Sequence, residues 1–114
     1  MPDGAAVVEG LHAQAKPPTF VVVAIRSIKD PDGLQAVIMK TAPEVLAAAG
    51  GHYVIRTSDI RALDGTASKR FVLIAFDSVE KAQACHNSAA QRVIDALRVK
   101  STDSLSFVVE GLPN

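Results

Sequence analysis

The first strong pattern in the chain is Thr19–Ile28, TFVVVAIRSI, a short run dominated by Val and Ile. β-Branched side chains pack well on a pleated surface, so this run predicts a strand. Asp30-Pro31 follows and predicts a helix start. Asp caps free backbone N–H groups, and Pro suits the first helical position. Leu34, Val37, Ile38, Val45, Leu46 and Ala49 then recur at helical spacing on one face. Pro43 removes a helical hydrogen bond and predicts a kink or split after about Thr41. Gly50-Gly51 predicts the stop, because glycine takes the left-handed C-terminal conformation without penalty.

His52–Ile60 (HYVIRTSDI) predicts a second strand, Leu63–Thr66 a turn, and Arg70–Asp77 a third strand in a hairpin with the second. Ser78 predicts the cap of a helix with Val79, Ala82 and Cys85 (or His86) facing inward. Asn87-Ser88 marks a break. Ser88-Ala89-Ala90-Gln91 fits a capping box, in which Ser and Gln satisfy each other's backbone donors. The helix that starts there carries Val93, Ile94 and Leu97 as its apolar stripe. Leu105–Glu110 predicts the last strand. Residues 1–18 read as an N-terminal tail, with at most a helical turn over Ala5–Leu11, and residues 19–114 read as a single domain. The order β-α-β-β-α-β predicts an α+β, ferredoxin-like sandwich: a four-stranded antiparallel sheet with helices on one face.

A sheet covered on one face should alternate apolar and polar residues. These strands do not. Phe20, Val22 and Ala24 oppose Val21, Val23 and Ile25, and Phe71, Leu73 and Ala75 oppose Val72, Ile74 and Phe76. Leu105, Phe107 and Val109 oppose Ser106, Val108 and Glu110. Both faces are largely apolar, and the chain has no spare helix or strand to cover the second; the plain alternative is that the N-terminal tail folds over it. A second copy of the chain is the economical cover, so a homodimer through the sheet face is expected.

Composition narrows the partners. The 114 residues carry 12 Lys+Arg against 12 Asp+Glu, and zero net charge argues against a nucleic-acid module. The longest apolar runs, Phe20–Ile25 and Phe71–Phe76, fall far short of the roughly 20 residues of a membrane span. Asp3 and Glu9, with no basic residue before Lys16, do not fit a secretory signal. The single cysteine, Cys85, allows neither an internal disulfide nor a cysteine-rich zinc site. A cytoplasmic domain without cofactor or metal is the expectation. Phosphate-loop and dinucleotide-binding signatures are absent from the sequence.

Several strings together resemble the family called domain of unknown function 1330. They are APEVLAAAGGHYVIR (Ala42–Arg56), Leu63-Asp64-Gly65 with Arg70 and VLIAFDS (Val72–Ser78), Ala82–Ser88, ALR (Ala96–Arg98) and VVEG (Val108–Gly111). The resemblance runs from about Phe20 to Gly111. It implies a dimeric α/β barrel, in which two ferredoxin-like sheets face each other, within a superfamily that includes cofactor-free monooxygenases, lactone isomerases and haem-handling proteins. The family itself implies no established chemistry. The chain departs from the family pattern where His86 replaces a usual aromatic, where Ala89-Ala90-Gln91 replace Pro-Glu-Tyr-like residues, and where His52 replaces a common basic residue.

The candidate site residues are few. Arg56 and Arg70 become near neighbours in the hairpin, and paired guanidiniums suit a carboxylate or phosphate. The plain alternative is solvated arginines paired with Asp59, Asp64 or Glu110. His52 and His86 are candidate polar contacts for a ligand, with the arginines, and the candidate proton-transfer residues. Strand parity puts His52 beside Arg56 and puts Tyr53 on the other face, in core or interface. Asn87 sits at a helix break, where a pocket can open. Cys85 follows its helix, so no helix dipole activates it, and it reads as a small core residue. Three functions follow: a homodimer binding a small, anionic organic ligand between sheet and helices; a cofactor-free oxygenase- or isomerase-like enzyme; or an interaction dimer with no cavity.

Overall fold

The computed structural model describes residues 17–35 and 40–113. Within it, β1 (Thr19–Ile28) is followed by α1 (Pro31–Leu34), α2 (Ala42–Ala48) and β2 (His52–Thr57). Then come β3 (Arg70–Phe76), α3 (Val79–Asn87), α4 (Ala89–Ser101) and β4 (Thr102–Glu110). The four strands form one antiparallel sheet in the order β2-β3-β1-β4. This is the expected ferredoxin-like arrangement. The expected tail lies, up to residue 16, outside the described residues, as do Val37 and Ile38 of the expected helical face.

Local chemistry explains the element ends. Asp30 Oδ1 accepts from the Gly33 N–H at 3.1 Å and Pro31 occupies the first helical turn. Pro43 opens α2 instead of kinking a continuous helix, a place where its missing N–H costs nothing. At the other end of α2, Gly50 has φ +84° and its N–H donates to the Ala47 carbonyl. The Gly51 N–H donates to the Leu46 carbonyl at 2.9 Å, which completes a Schellman stop. Gly51 has a second role. A Cβ there would lie 2.7 Å from the Phe76 ring and 2.8 Å from the Leu46 side chain, so only glycine lets α2 close onto the sheet.

Two boundaries and one helix face differ from expectation. β2 ends at Thr57, not Ile60, because the Thr57 side chain turns back to accept from the Asp59 N–H at 2.9 Å. β4 begins at Thr102, three residues early, continuing directly from α4. The buried face of α4 is Ile94, Arg98 and Ser101, while Val93 is 60% exposed. Ile94, Arg98 and Ser101 are spaced at helical intervals of four and three, which Val93 leaves by one position.

The core lies between the helices and one sheet face. Leu46, Ile74, Phe76, Ala82 and Cys85 form its centre, with Val21, Tyr53 and Val72 packed against it. Ladder register puts Phe20, Val22 and Ala24 on the other face, opposite Ala75, Leu73 and Phe71 on β3 and Val109, Phe107 and Leu105 on β4. No described helix covers that face. Leu105 is 51% exposed, Phe107 47%, Ile55 40% and Val109 39%.

Candidate functional site

A cavity of about 90 Å³ opens between the sheet and the helices. Val21, Val23 and Ile25 of β1, with Val72 and Ile74 of β3, form its floor, and residues of α3 and α4 stand over it. An apolar floor with a few convergent polar side chains is the usual construction of a small-molecule site.

The first polar group comes from the hairpin. β2 carries a bulge at Val54: Tyr53 pairs with Ile74, but Arg56 pairs with Val72. One inserted residue reverses the parity of everything after it. Tyr53 and Arg56, three positions apart, therefore face the helices together, and the Arg56 guanidinium carbon lies 4.9 Å from the centre of the Tyr53 ring. This corrects the simple parity reading. His52 pairs with Ala75, is exposed on the opposite face, and does not share the cavity with Arg56. Arg70, the first residue of β3, lines the cavity with Arg56. Asp59 pairs with Arg61 at 3.7 Å, and that pair is almost fully solvated.

The second polar group hangs from the helices. Ser88 caps α4, its Oγ accepting from the Gln91 N–H at 3.2 Å and donating to the Cys85 carbonyl at 2.7 Å. Gln91 does not return the capping contact. Its amide reaches along α4 and donates to Asp95 Oδ1 at 3.0 Å. Arg98, three residues on and buried, approaches the same Oδ1 at 3.4 Å and donates to Ser104 Oγ at 2.7 Å. Thr102 steadies this end, donating to the Arg98 carbonyl at 2.6 Å. Asp95 Oδ2 faces His86, whose Nδ1 stands 3.3 Å away. The His86 side chain is 71% exposed and lines the cavity, which puts the imidazole at its mouth. Asn87, the last residue of α3, is exposed and does not line it.

Gln91, Asp95 and Arg98 were not singled out from sequence. Their 4-and-3 spacing on one helix face is the signal that marks them. Cys85 lines the cavity as well. Burial pushes its thiol above the ordinary value of 9.0, and the Asp95 carboxylate raises it further, so it stays protonated at neutral pH. Its place is in the core, with Leu46 and Phe76.

The charge balance of the lining is uneven. Among the described residues that line the cavity are three guanidiniums, from Arg56, Arg70 and Arg98, and one carboxylate, from Asp95. The difference is a formal charge of +2 around a largely apolar space, in a chain whose net charge is zero. Among the described residues no cluster of His, Cys, Asp and Glu is placed to hold a metal ion, and no helix is long and apolar enough to cross a membrane.

Residues 18–112 match the model of the family described as Domain of unknown function (DUF1330), and the chain belongs to that family. No curated protein matches it. Among solved structures it is similar to the RPA0582 protein of unknown function from Rhodopseudomonas palustris, with 17% identity over 96% of this chain and 94% of that one and a TM-score of 0.67. It is also similar to SnoaB, a cofactor-independent oxygenase from Streptomyces nogalater, with 13% identity over 87% of this chain and 97% of that one and a TM-score of 0.63. A third is a dimeric protein of unknown function and ferredoxin-like fold from Bacteroides fragilis NCTC 9343, with 11% identity over 84% and 98% and a TM-score of 0.51. At these identities the likeness shows the fold alone.

Proposed function

We propose that this DUF1330 protein is a homodimer that binds a small organic anion in the cavity between sheet and helices. The observation that carries the reading is the lining itself: among the described residues, an apolar floor beside three guanidiniums and one carboxylate, in a chain whose net charge is zero. A carboxylate brought there meets guanidiniums that bind it in fork geometry, in surroundings drier than bulk water, where charge-assisted hydrogen bonds are strong. The acyl or ring portion of the ligand lies on Val21, Val23 and Val72. An interaction dimer without a ligand has no use for such a space.

The second copy is assigned to the open sheet face, where Leu105, Phe107, Ile55 and Val109 would otherwise remain in water. Self-association through one patch gives a closed two-fold pair, and the dimeric Bacteroides fragilis protein provides a precedent in this fold. A single free thiol and the lack of a disulfide fit a reducing, cytoplasmic setting.

Thermal denaturation with matched pairs of compounds, such as benzoate against benzamide and pyruvate against acetone, tests the ligand reading. At ten times its Kd a ligand stabilises the folded chain by about 1.4 kcal/mol. For a domain of this size that raises Tm by about 5 °C. The carboxylates should give this shift, the neutral partners should not, and Arg56→Gln should remove most of it. Equal shifts from neutral and anionic partners would count against the reading.

A further inference from the structure

We infer that His86 is a general base held in place by Asp95, acting on an enolisable oxo acid bound in the cavity; this rests on the anion-binding reading above and extends it to a reaction. Asp95 is fixed from one side only. Gln91 and Arg98 both engage Oδ1, at 3.0 and 3.4 Å, and leave Oδ2 to the His86 Nδ1 at 3.3 Å. A carboxylate on Nδ1 keeps the proton on that nitrogen, so Nε2 carries the free lone pair. The fixing residues are themselves anchored: Arg98 is buried and tied to Ser104, and Gln91 belongs to the first turn of α4. A surface ion pair formed by chance has no such support behind its acid.

The chemistry needs no oxidant. With the ligand carboxylate on the arginines, Nε2 takes a proton from the carbon beside the ligand's carbonyl group. The C–H bond breaks, its electron pair forms the carbon–carbon double bond, and the carbonyl π pair moves onto oxygen. The imidazolium is balanced by Asp95, and the enolate forms within the positively charged lining. Returning the proton to the same carbon exchanges it with solvent. Where the ligand carries a further carbon–carbon double bond conjugated with the enolate, returning it to the far end of that bond isomerises the compound. His86 is the catalytic residue of this step, and Asp95 is its positioning residue.

The test uses pyruvate and acetoacetate in deuterated buffer, with loss of the α-proton signal followed by proton NMR. The wild-type chain should accelerate exchange of at least one of them over buffer. His86→Gln, at an exposed position that leaves the core intact, should lower the rate about 100-fold while the compound still produces a thermal shift. Asp95→Asn should lower it about tenfold, and nitrogen-15 spectra of the imidazole should show loss of the Nδ1–H tautomer preference. Thermal stabilisation without exchange, or exchange undiminished in His86→Gln, overturns the catalytic inference and leaves anion binding standing. Neither stabilisation nor exchange overturns both.

Discussion

The two faces of the sheet are built from similar residues and end in different states. On the helix side, Val21, Val72, Ile74 and Phe76 meet Leu46, Ala82 and Cys85, and the polar groups that enter find partners: Arg98 with Ser104 and Asp95, Asp95 with Gln91. On the other side, Leu105, Phe107, Ile55 and Val109 have only their sheet neighbours and stay 39–51% exposed, with no described helix over them. Apolar character alone therefore does not say where the core lies. The connections decide it, because short links return the described helices to one side and leave the other side open. The contrast also accounts for the place of the candidate site. At the candidate site the helices that stand over the sheet supply the groups that fix Asp95 and Arg98.

The comparison can be broken from either side. The largest effect should come from placing a charge on the open face. Phe107→Asp should weaken self-association by 100-fold or more, since a desolvated unpaired charge costs several kcal/mol, and sedimentation should show the chain as a single copy with its helical circular dichroism intact. On the covered face, Arg98→Met should destabilise by about 3 kcal/mol in urea denaturation, because Asp95 loses its cation in a mostly dry place. Gly51→Ala should cost about 2 kcal/mol, as the added methyl group strikes Phe76 and Leu46. Ser88→Ala should cost about 1 kcal/mol through the lost α4 cap. Lys81→Ala, which removes an exposed pair with Asp77, should change stability by no more than about 0.5 kcal/mol.

Titration of Cys85 sharpens the same contrast. Its thiol ionises at higher pH in the folded chain than the ordinary 9.0. Between 9.0 and the folded value the native state holds more protons than the unfolded state, so stability should fall as pH rises through that window. Below 9.0 the contribution is fully present. A Cys85→Ala variant, measured from pH 8 upward, should lack this part of the decline.

The β-α-β-β-α-β order was legible from the runs of strand and helix patterns, and the caps at Asp30, Ser78 and Ser88 and the stop at Gly50-Gly51 because each rests on a local preference carried by one or two residues. The site was legible only in part. Arg56, Arg70 and His86 stood out as charged or titratable groups near apolar runs, and all three line the cavity. His52 was misplaced by the bulge at Val54, and no residue type there announces an extra position in the strand. Gln91 looked like a capping residue because Ser88 lies three positions before it. Its side chain instead serves Asp95, a longer-range preference that only the folded helix layer reveals. Arg98 looked like an ordinary charged helix position until β4, starting early, brought Ser104 to it.

The account depends most on the unlike completion of two similar faces, and sedimentation velocity on the full chain at micromolar concentration measures it directly. A species of twice 12.0 kDa that persists on dilution, and that Phe107→Asp converts to one copy, is the predicted result. A folded single copy of 12.0 kDa that shows no tendency to associate would contradict it.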